Sequence, residues 1–333
     1  MNAKAFLWGI IDFFRIKEYP EASTLENADN IWGPVTSTID WCEENYVISP
    51  YLAEFSNTIT NLFYCFLATY ITLRAYQYHL EGRFILIGLG FGLVGIGSWL
   101  FHMTLKYEYQ LLDELPMIYA TCVPAWSILT EPILWSRFSN IGIKKDVIVG
   151  FIITSSAVLV TYTYLFYKNP IIHQICYGAL NLTIIVCASV YTFKYIKDPV
   201  ILINLKKCVI IGVSSFLLGF FFWNLDVQFC SAWIYIRRSY LLLPMGALLE
   251  MHAWWHLLTG VGIYYSVIYL EYLRIAMHHQ DDEYILIWKH TVFPEVVLRE
   301  KILDYWGGKI SLTFRGPIVH DIEEVRVFEK RLD

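Results

Sequence analysis

The sequence predicts an all-α membrane protein built as a bundle of seven transmembrane helices. Hydrophobic residues make up 56% of the 333-residue chain and charged residues only 17%, whereas soluble globular chains carry about 25% charged residues. The apolar residues also fall into runs of roughly 18 to 24, the length an α-helix needs to cross a bilayer. An aromatic content of 17% excludes a chain that is disordered throughout.

Seven such runs follow one another along the chain. The predicted helices are Phe55–Tyr76, Phe84–Leu105, Leu111–Leu129, Val147–Phe166, Ile171–Tyr195, Lys207–Trp223 and Leu241–Tyr269. The third run carries two acidic residues and Pro116 near its start, so its first turn is the least defined. The sixth run is interrupted by Asn224 and Asp226, which set its predicted end.

These helices divide the chain into three parts. Residues 1–54 form a lumenal N-terminal segment, residues 55–275 the transmembrane domain and residues 276–333 a cytosolic tail. The first residues do not resemble a signal peptide, because Asp12 and Arg15 interrupt their apolar patch and no small-residue cleavage site follows. In the tail, Ile285–Val297 is a segment that can order locally, with no role predicted for it.

The distribution of basic residues predicts the orientation. The loops after helices one, three and five carry nine Lys or Arg residues, and those after helices two, four and six carry four. Basic loops stay in the cytoplasm, so the N-terminus is lumenal and the C-terminus cytosolic. We expect an integral multi-pass protein of the endoplasmic reticulum or Golgi.

Two common classes of function are excluded by charge and context. The balance of 25 basic and 30 acidic residues gives a net charge of −5, which lacks the basic footprint of nucleic-acid binding. The second helix contains a G-x-G-x-x-G pattern at Gly90, Gly92 and Gly95, but a dinucleotide site needs a preceding strand and this stretch is apolar helix. Small residues that allow close helix packing, including Gly88 and Gly92, explain the pattern better.

Polar residues near the lumenal ends of helices two and three suggest a site. Ser98 and His102 lie one helical turn apart and share a face. Because the connection between the two helices is short, Asp113 is expected at the same rim. His102 taken alone is more typical of a histidine at the membrane surface that contacts the polar lipid headgroups.

The seventh helix adds His252 and His256, again four residues apart and on one face. Apart from Glu250, this span is otherwise free of charge near them, and ionisable residues within membranes are expensive and usually functional. The pair falls in the lumenal half of the bundle, at the depth of His102 and Asp113.

Three histidines and a carboxylate at one depth predict a catalytic zinc site. Neutral imidazoles bind Zn²⁺, and three protein ligands leave a position for water, whose pKa the metal lowers from about 15.7 towards 7. Asp113 would orient this water and carry its proton to the leaving group. Ser98 would donate a hydrogen bond to the developing oxyanion. The implied chemistry is hydrolysis of a carbonyl compound, which in this location is a lipid.

An acidic cluster precedes the first helix and includes Asp40, Glu43, Glu44, Asn45 and Glu54. Oxygen ligands without histidine suit calcium, although the spacing is not that of an EF-hand. The residue pattern alone favours a solvated acidic loop over a calcium site.

Taken together, these segments resemble the alkaline ceramidase family. The matching stretches are Trp32–Asn45, Ala53–Asn57, Gly97–His102, Leu111–Pro116 and His252–His256, in the order and spacing of the family. The likeness covers residues 30–275 and leaves the tail unmatched.

The resemblance implies a seven-helix intramembrane amidase that cleaves ceramide-type lipids into a sphingoid base and a fatty acid. It implies catalytic zinc held by His102, His252 and His256, with Asp113 and Ser98 completing the site. It also implies a structural or regulatory calcium ion bound by Asp40, Trp41 (through its backbone carbonyl), Glu43, Asn45 and Glu54. With the resemblance, the acidic loop is interpreted as a calcium site and no longer as a solvated loop.

A disulfide between Cys42 and Cys230 is a further hypothesis. Both residues fall on the lumenal side of the predicted topology, where the oxidising environment favours disulfide formation.

Three alternative functions remain open at this point. A metal or proton transporter would use the same His and Asp residues, but its polar groups should spread along the bilayer normal. A seven-span receptor would keep the pocket and answer ligand binding with a cytosolic signal. Paired histidines also bind haem, which would leave Asp113 and Ser98 without a purpose.

Overall fold

The computed structural model describes residues 16–21, 31–132 and 145–301, and seven long helices dominate these residues. The helices are α1 Phe55–Gln77, α2 Gly82–Thr104, α3 Tyr107–Leu129, α4 Lys145–Tyr167, α5 Pro170–Tyr195, α6 Pro199–Ile236 and α7 Met251–Met277. Two strands follow, β1 Tyr284–Lys289 and β2 Phe293–Leu298. Each of the seven predicted helices is present, in the predicted order.

The sixth and seventh helices differ most from their predicted bounds. The predicted sixth helix, Lys207–Trp223, is part of a 38-residue helix that kinks at Phe229 and continues past the polar residues expected to end it. Asp226 does not end the helix because its carboxylate is buried and accepts hydrogen bonds from two backbone amides. The seventh helix begins at Met251 instead of Leu241, because a π-helical turn and a 3-10 turn occupy the preceding residues.

Four of the seven helices are long and apolar enough to cross a membrane by length and composition. They are α2, α4, α5 and the segment Pro199–Leu241 that contains α6. Large apolar side chains such as Phe151 and Tyr162 on α4 are about two-thirds or more exposed, as expected for a helix that faces lipid. The remaining helices α1, α3 and α7 carry more polar residues. On α7 most residues are buried, so this helix lies at the centre of the bundle.

Glycines set the distance between α2 and its neighbours. Added Cβ atoms at Gly88 and Gly90 would overlap Thr72 of α1 and Ala120 of α3, whereas one at Gly92 would make only an ordinary contact with Ala68. Close helix packing therefore requires a glycine at position 88, as the sequence predicted, and at position 90, but not at position 92.

A loop formed by residues 31–54 covers one end of the bundle, which we call the loop end. A disulfide joins Cys42 of this loop to Cys230 of α6, which confirms the predicted pairing. The guanidinium of Arg237, fully buried, donates a hydrogen bond to the Cys42 carbonyl oxygen at 2.7 Å and pairs with Glu250. Arg238 donates to Glu44 of the loop at 2.8 Å. The loop is thus fixed covalently to α6 and by polar contacts to the π-helical turn that follows it.

The opposite end, called the hairpin end, holds the two strands. They pair antiparallel and make up the part of the predicted tail for which no role was assigned. The hairpin packs into the bundle, with Trp288 donating to Asn204 of α6 at 3.0 Å and Glu295 pairing with Arg74 of α1 at 2.9 Å. The tail from residue 302 onward lies outside the described residues.

Candidate metal centre

Three histidines from two helices meet at the loop end. His102 is in the last turn of α2, and His252 and His256 lie near the start of α7. One donor atom from each lies within 4.8 Å of the other two. All three side chains are buried, between 1% and 4% exposed. The two distant sequence segments therefore converge on one small volume.

The ring nitrogens of these histidines are only partly satisfied. His102 Nδ1 pairs with the Glu54 carboxylate, and His256 Nδ1 lies 3.0 Å from Thr60 Oγ1. His102 Nε2 and His252 Nδ1 have no hydrogen-bond partner among the described residues. Because buried polar atoms without partners destabilise a fold, these nitrogens point to a ligand. Neutral imidazoles at such spacing are the donor set that Zn²⁺ prefers, so the residues fit a zinc ion.

Neighbouring groups fix the orientation of the imidazoles. The Trp41 ring stacks on His252 with ring centroids 3.8 Å apart. Asp226 Oδ1 accepts from the His252 backbone amide at 3.2 Å, while its Oδ2 accepts from Cys42 N at 3.0 Å. One carboxylate of α6 thereby ties the loop to the first turn of α7.

Two of these contacts were not predicted from the sequence. Glu54 was assigned to calcium alone, yet its carboxylate pairs with His102, the arrangement by which outer carboxylates orient metal-binding histidines. Asp226 was interpreted as a helix terminator. A single carboxylate inside an apolar run was the available signal for its role, since such residues are usually functional.

The predicted catalytic pair lies beside the histidines. Ser98 is one turn before His102 on α2, and its hydroxyl lies beside the carboxylate of Asp113 on α3. Gly97 permits this contact, because an added Cβ would lie 2.6 Å from the Leu112 carbonyl carbon. Asp113 is half-buried, whereas the histidines are buried. The structure thus joins Ser98 and Asp113 directly.

The acidic loop residues gather around the N-terminus of α1. Glu43 accepts hydrogen bonds from the backbone amides of Ser56 at 2.6 Å and Asn57 at 2.8 Å. Glu54 accepts from the Trp41 amide at 3.4 Å. Asp40 hydrogen-bonds the Asn45 side chain, whose Oδ1 is buried without a hydrogen-bond partner within the described part of the chain.

The electrostatics of this loop show an excess of negative charge. Burial, followed by repulsion from the Glu54 carboxylate, raises the pKa of Glu43 to about 8. Burial also raises the pKa of Asp40. The nearby arginines pair with other carboxylates than Glu43, Asp40 and Glu54: Arg237 with Glu250, and Arg238 with Glu44 of the same loop. Three neighbouring carboxylates and an unpartnered amide oxygen are a donor set that suits a hard cation such as calcium.

The comparisons with known proteins agree on one family. The family model described as Ceramidase matches residues 33–297. Alkaline ceramidase YPC1 from Saccharomyces cerevisiae is 45% identical over 312 residues, covering 91% of this chain and 95% of its own. Alkaline ceramidase 3 from Mus musculus is 38% identical over 247 residues, covering 73% and 86%. The Arabidopsis thaliana alkaline ceramidase is 28% identical over 250 residues, covering 75% and 88%. The chain therefore belongs to the alkaline ceramidase family.

Proposed function

We propose that this chain is a membrane-embedded, zinc-dependent amidohydrolase that cleaves ceramide-type lipids into a sphingoid base and a fatty acid. The observation that carries the proposal is the convergence of three buried imidazoles, two with unpartnered ring nitrogens, beside the Ser98–Asp113 pair. Membership of the alkaline ceramidase family supports the substrate class.

The imidazoles of His102, His252 and His256 would hold the zinc ion. When bound, zinc supplies a Lewis acid that polarises the amide carbonyl and makes water a nucleophile near neutral pH. The Glu54 carboxylate accepts a hydrogen bond from His102 Nδ1 and so selects the tautomer whose Nε2 lone pair would be free to bind the metal. The stacked Trp41 ring holds His252 in a matching orientation.

Asp113 is the proposed proton carrier. Its carboxylate accepts a proton from the attacking water and passes it to the nitrogen of the departing sphingoid base. In the structure the Ser98 hydroxyl lies beside the Asp113 carboxylate, so we assign it the task of orienting this carboxylate before the proton is transferred. Once Asp113 carries the proton, it becomes a donor itself, and the hydroxyl is then able to donate to the oxyanion.

We propose that all seven helices span the membrane, with the N-terminus lumenal and the C-terminus cytosolic. The three helices outside the apolar set contribute polar residues to the interior, such as Asn61 on α1, Gln110 on α3 and His256 on α7. The hydropathy of these three helices is therefore lower because they carry the polar residues of the site. The disulfide at the loop end supports an oxidising compartment on that side, as in the endoplasmic reticulum or Golgi.

A calcium ion in the acidic loop is the second part of the proposal. The carboxylates of Asp40, Glu43 and Glu54, the Asn45 amide oxygen and the Trp41 carbonyl would hold it. Glu54 also pairs with His102, and Trp41 stacks on His252, so two of the calcium ligands contact two of the zinc ligands. Calcium would therefore stabilise the zinc site through these contacts.

The test is metal analysis and turnover of the purified protein. His252→Ala should lose zinc and release of free sphingoid base together. His79→Asn is the matched control, since His79 lies at the opposite end of α1 and has a positive φ that asparagine tolerates. Retention of zinc by His252→Ala, or full hydrolysis by zinc-free protein, would contradict the proposal.

A further inference from the structure

A second polar pocket lies beside the metal centre, on the α4–α5 side of α3. Glu114 follows Asp113 on α3 but faces α4 and α5, whereas Asp113 faces Ser98 on α2. Its partner across the pocket is His173, near the start of α5. Both are buried, Glu114 being 6% and His173 2% exposed. Neither residue has a task in the chemistry described above.

One side of the Glu114 carboxylate is fully engaged. Its Oε2 accepts hydrogen bonds from the Tyr164 hydroxyl and from Gln110 Nε2, the latter at 3.1 Å. Gln110 also accepts from the Thr38 backbone amide at 2.7 Å. This network fixes the carboxylate against the loop end of the bundle.

The other side of the carboxylate faces a gap. Glu114 Oε1 lies 3.9 Å from His173 Nδ1, which is too long for a direct hydrogen bond. Neither ring nitrogen of His173 makes a hydrogen bond of ordinary geometry to the residues the structure describes, although the ring lies near the Glu114 backbone. The two buried ring nitrogens of His173 are therefore left unsatisfied next to Glu114 Oε1, and such groups normally have a partner.

The pocket is joined to the metal centre through Tyr177. The His173 and Tyr177 rings stack in parallel, with centroids 6.1 Å apart and planes 6° apart. Tyr177 in turn lies close enough to Asp113 to interact with its charge. A group held between Glu114 and His173 is therefore near the residue that would protonate the leaving base.

We propose that Glu114 and His173 bind the C3 or the C4 hydroxyl group on the sphingoid-base half of the substrate. The hydroxyl donates to Glu114 Oε1 and accepts from a protonated ring nitrogen of His173. An oxygen atom about 2.8 Å from both atoms bridges their separation with ordinary hydrogen-bond lengths. This inference rests on the proposed function, since the hydroxyls at C3 and C4 of a sphingoid base lie only a few bonds from the scissile amide nitrogen.

The experiment measures coupling between a side chain and a substrate hydroxyl. Three N-acylated bases with one acyl chain are compared: one with hydroxyls at C3 and C4, one lacking the C4 hydroxyl and one lacking the C3 hydroxyl. His173→Phe removes both ring nitrogens but keeps an aromatic ring against Tyr177, and Glu114→Gln removes the charge. Tyr164→Phe is the control, since it removes a contact to Oε2 but leaves the gap.

For the wild-type protein, kcat/KM should fall about tenfold when the bound hydroxyl is missing, the size expected for a hydrogen bond to a charged group. His173→Phe should abolish that difference and Glu114→Gln should reduce it, and both should leave turnover of the analogue without this hydroxyl nearly unchanged. The analogue that behaves in this way identifies C3 or C4. Tyr164→Phe should keep the wild-type preference.

Two outcomes would overturn the inference. If the variants slow all three substrates by one factor, the pair has only a structural role, such as binding a buried water. If they slow none, the pocket does not touch the substrate. If His173→Phe loses zinc or thermal stability, the substrate preference of Glu114→Gln alone is compared with that of the wild type. A wild-type protein that binds zinc but hydrolyses none of the three would instead refute the proposed function.

Discussion

Replacing Gly97 by alanine tests whether the close approach of α2 and α3 creates the catalytic pair. An added Cβ would overlap the Leu112 carbonyl oxygen and lie 2.6 Å from its carbonyl carbon. This separation falls about 0.8 Å short of the 3.4 Å at which ordinary contact begins. Backbone atoms cannot rotate away as a flexible side chain can, so the helices must separate by about 1 Å.

Two opposing terms set the effect on stability. Alanine is favoured over glycine within a helix by about 1 kcal/mol. Overpacking a well-packed interior costs about 1–3 kcal/mol, so the net effect is a loss of up to about 2 kcal/mol. The effect on rate is larger, because a displacement of about 1 Å at a catalytic group costs roughly 10²-fold. Ser98 and Asp113 sit next to the two residues that move apart.

The assay compares kcat for ceramide hydrolysis, zinc content and thermal unfolding of Gly97→Ala with those of Gly92→Ala. Gly92 is on the same helix, and its added Cβ would lie 3.5 Å from Ala68 Cβ, an ordinary contact. Gly92→Ala should retain activity and unfold at the same temperature or higher. Gly97→Ala should bind zinc through its intact histidines yet lose activity. Equal activity of the two variants would refute the reasoning.

Three further predictions concern the loop end. Glu54→Gln should weaken zinc binding about 10- to 100-fold in a chelator competition assay, because it removes the carboxylate that pairs with His102. Glu44→Gln is the control and should leave zinc binding unchanged, because Glu44 pairs with Arg238. Cys42→Ser should lower the free energy of unfolding by about 2–5 kcal/mol in denaturant titrations, and Cys65→Ser, a free cysteine, should change it little. Calcium added to chelated protein should raise the unfolding temperature of the wild type but raise it less in Asp40→Asn. No response of the wild type to calcium would contradict the calcium site.

The helices could be predicted because their cause is local. Apolar runs of about 20 residues leave the backbone no hydrogen-bond partner in lipid other than itself, so they form helices wherever they occur. The same-face placement of His252 and His256 also follows from helical periodicity alone. The bounds of α6 could not be predicted in this way, since Asp226 is tolerated within the helix only because Cys42 and His252 supply amide donors.

The candidate site could likewise be predicted only in part. The sequence itself predicted that three histidines and Asp113 lie at one depth and form a zinc site, and the family resemblance added the calcium site. The sequence did not show that Glu54 reaches His102, or that the Trp41 ring covers His252, because these contacts join segments separated by 48 and more residues. Glu114 and His173 were not singled out at all. Their shared pocket exists only through the packing of α3 against α4 and α5.

By itself, the sequence determined the composition of the bundle, the order of its helices and the identity of the residues able to bind metal. Each of these depends on side-chain chemistry and on spacing within one helix. Only the tertiary structure decided which atoms of those residues are paired and which remain unpartnered. That distinction depends on distances between helices, which glycine contacts such as that of Gly97 with Leu112 set to within a fraction of an ångström.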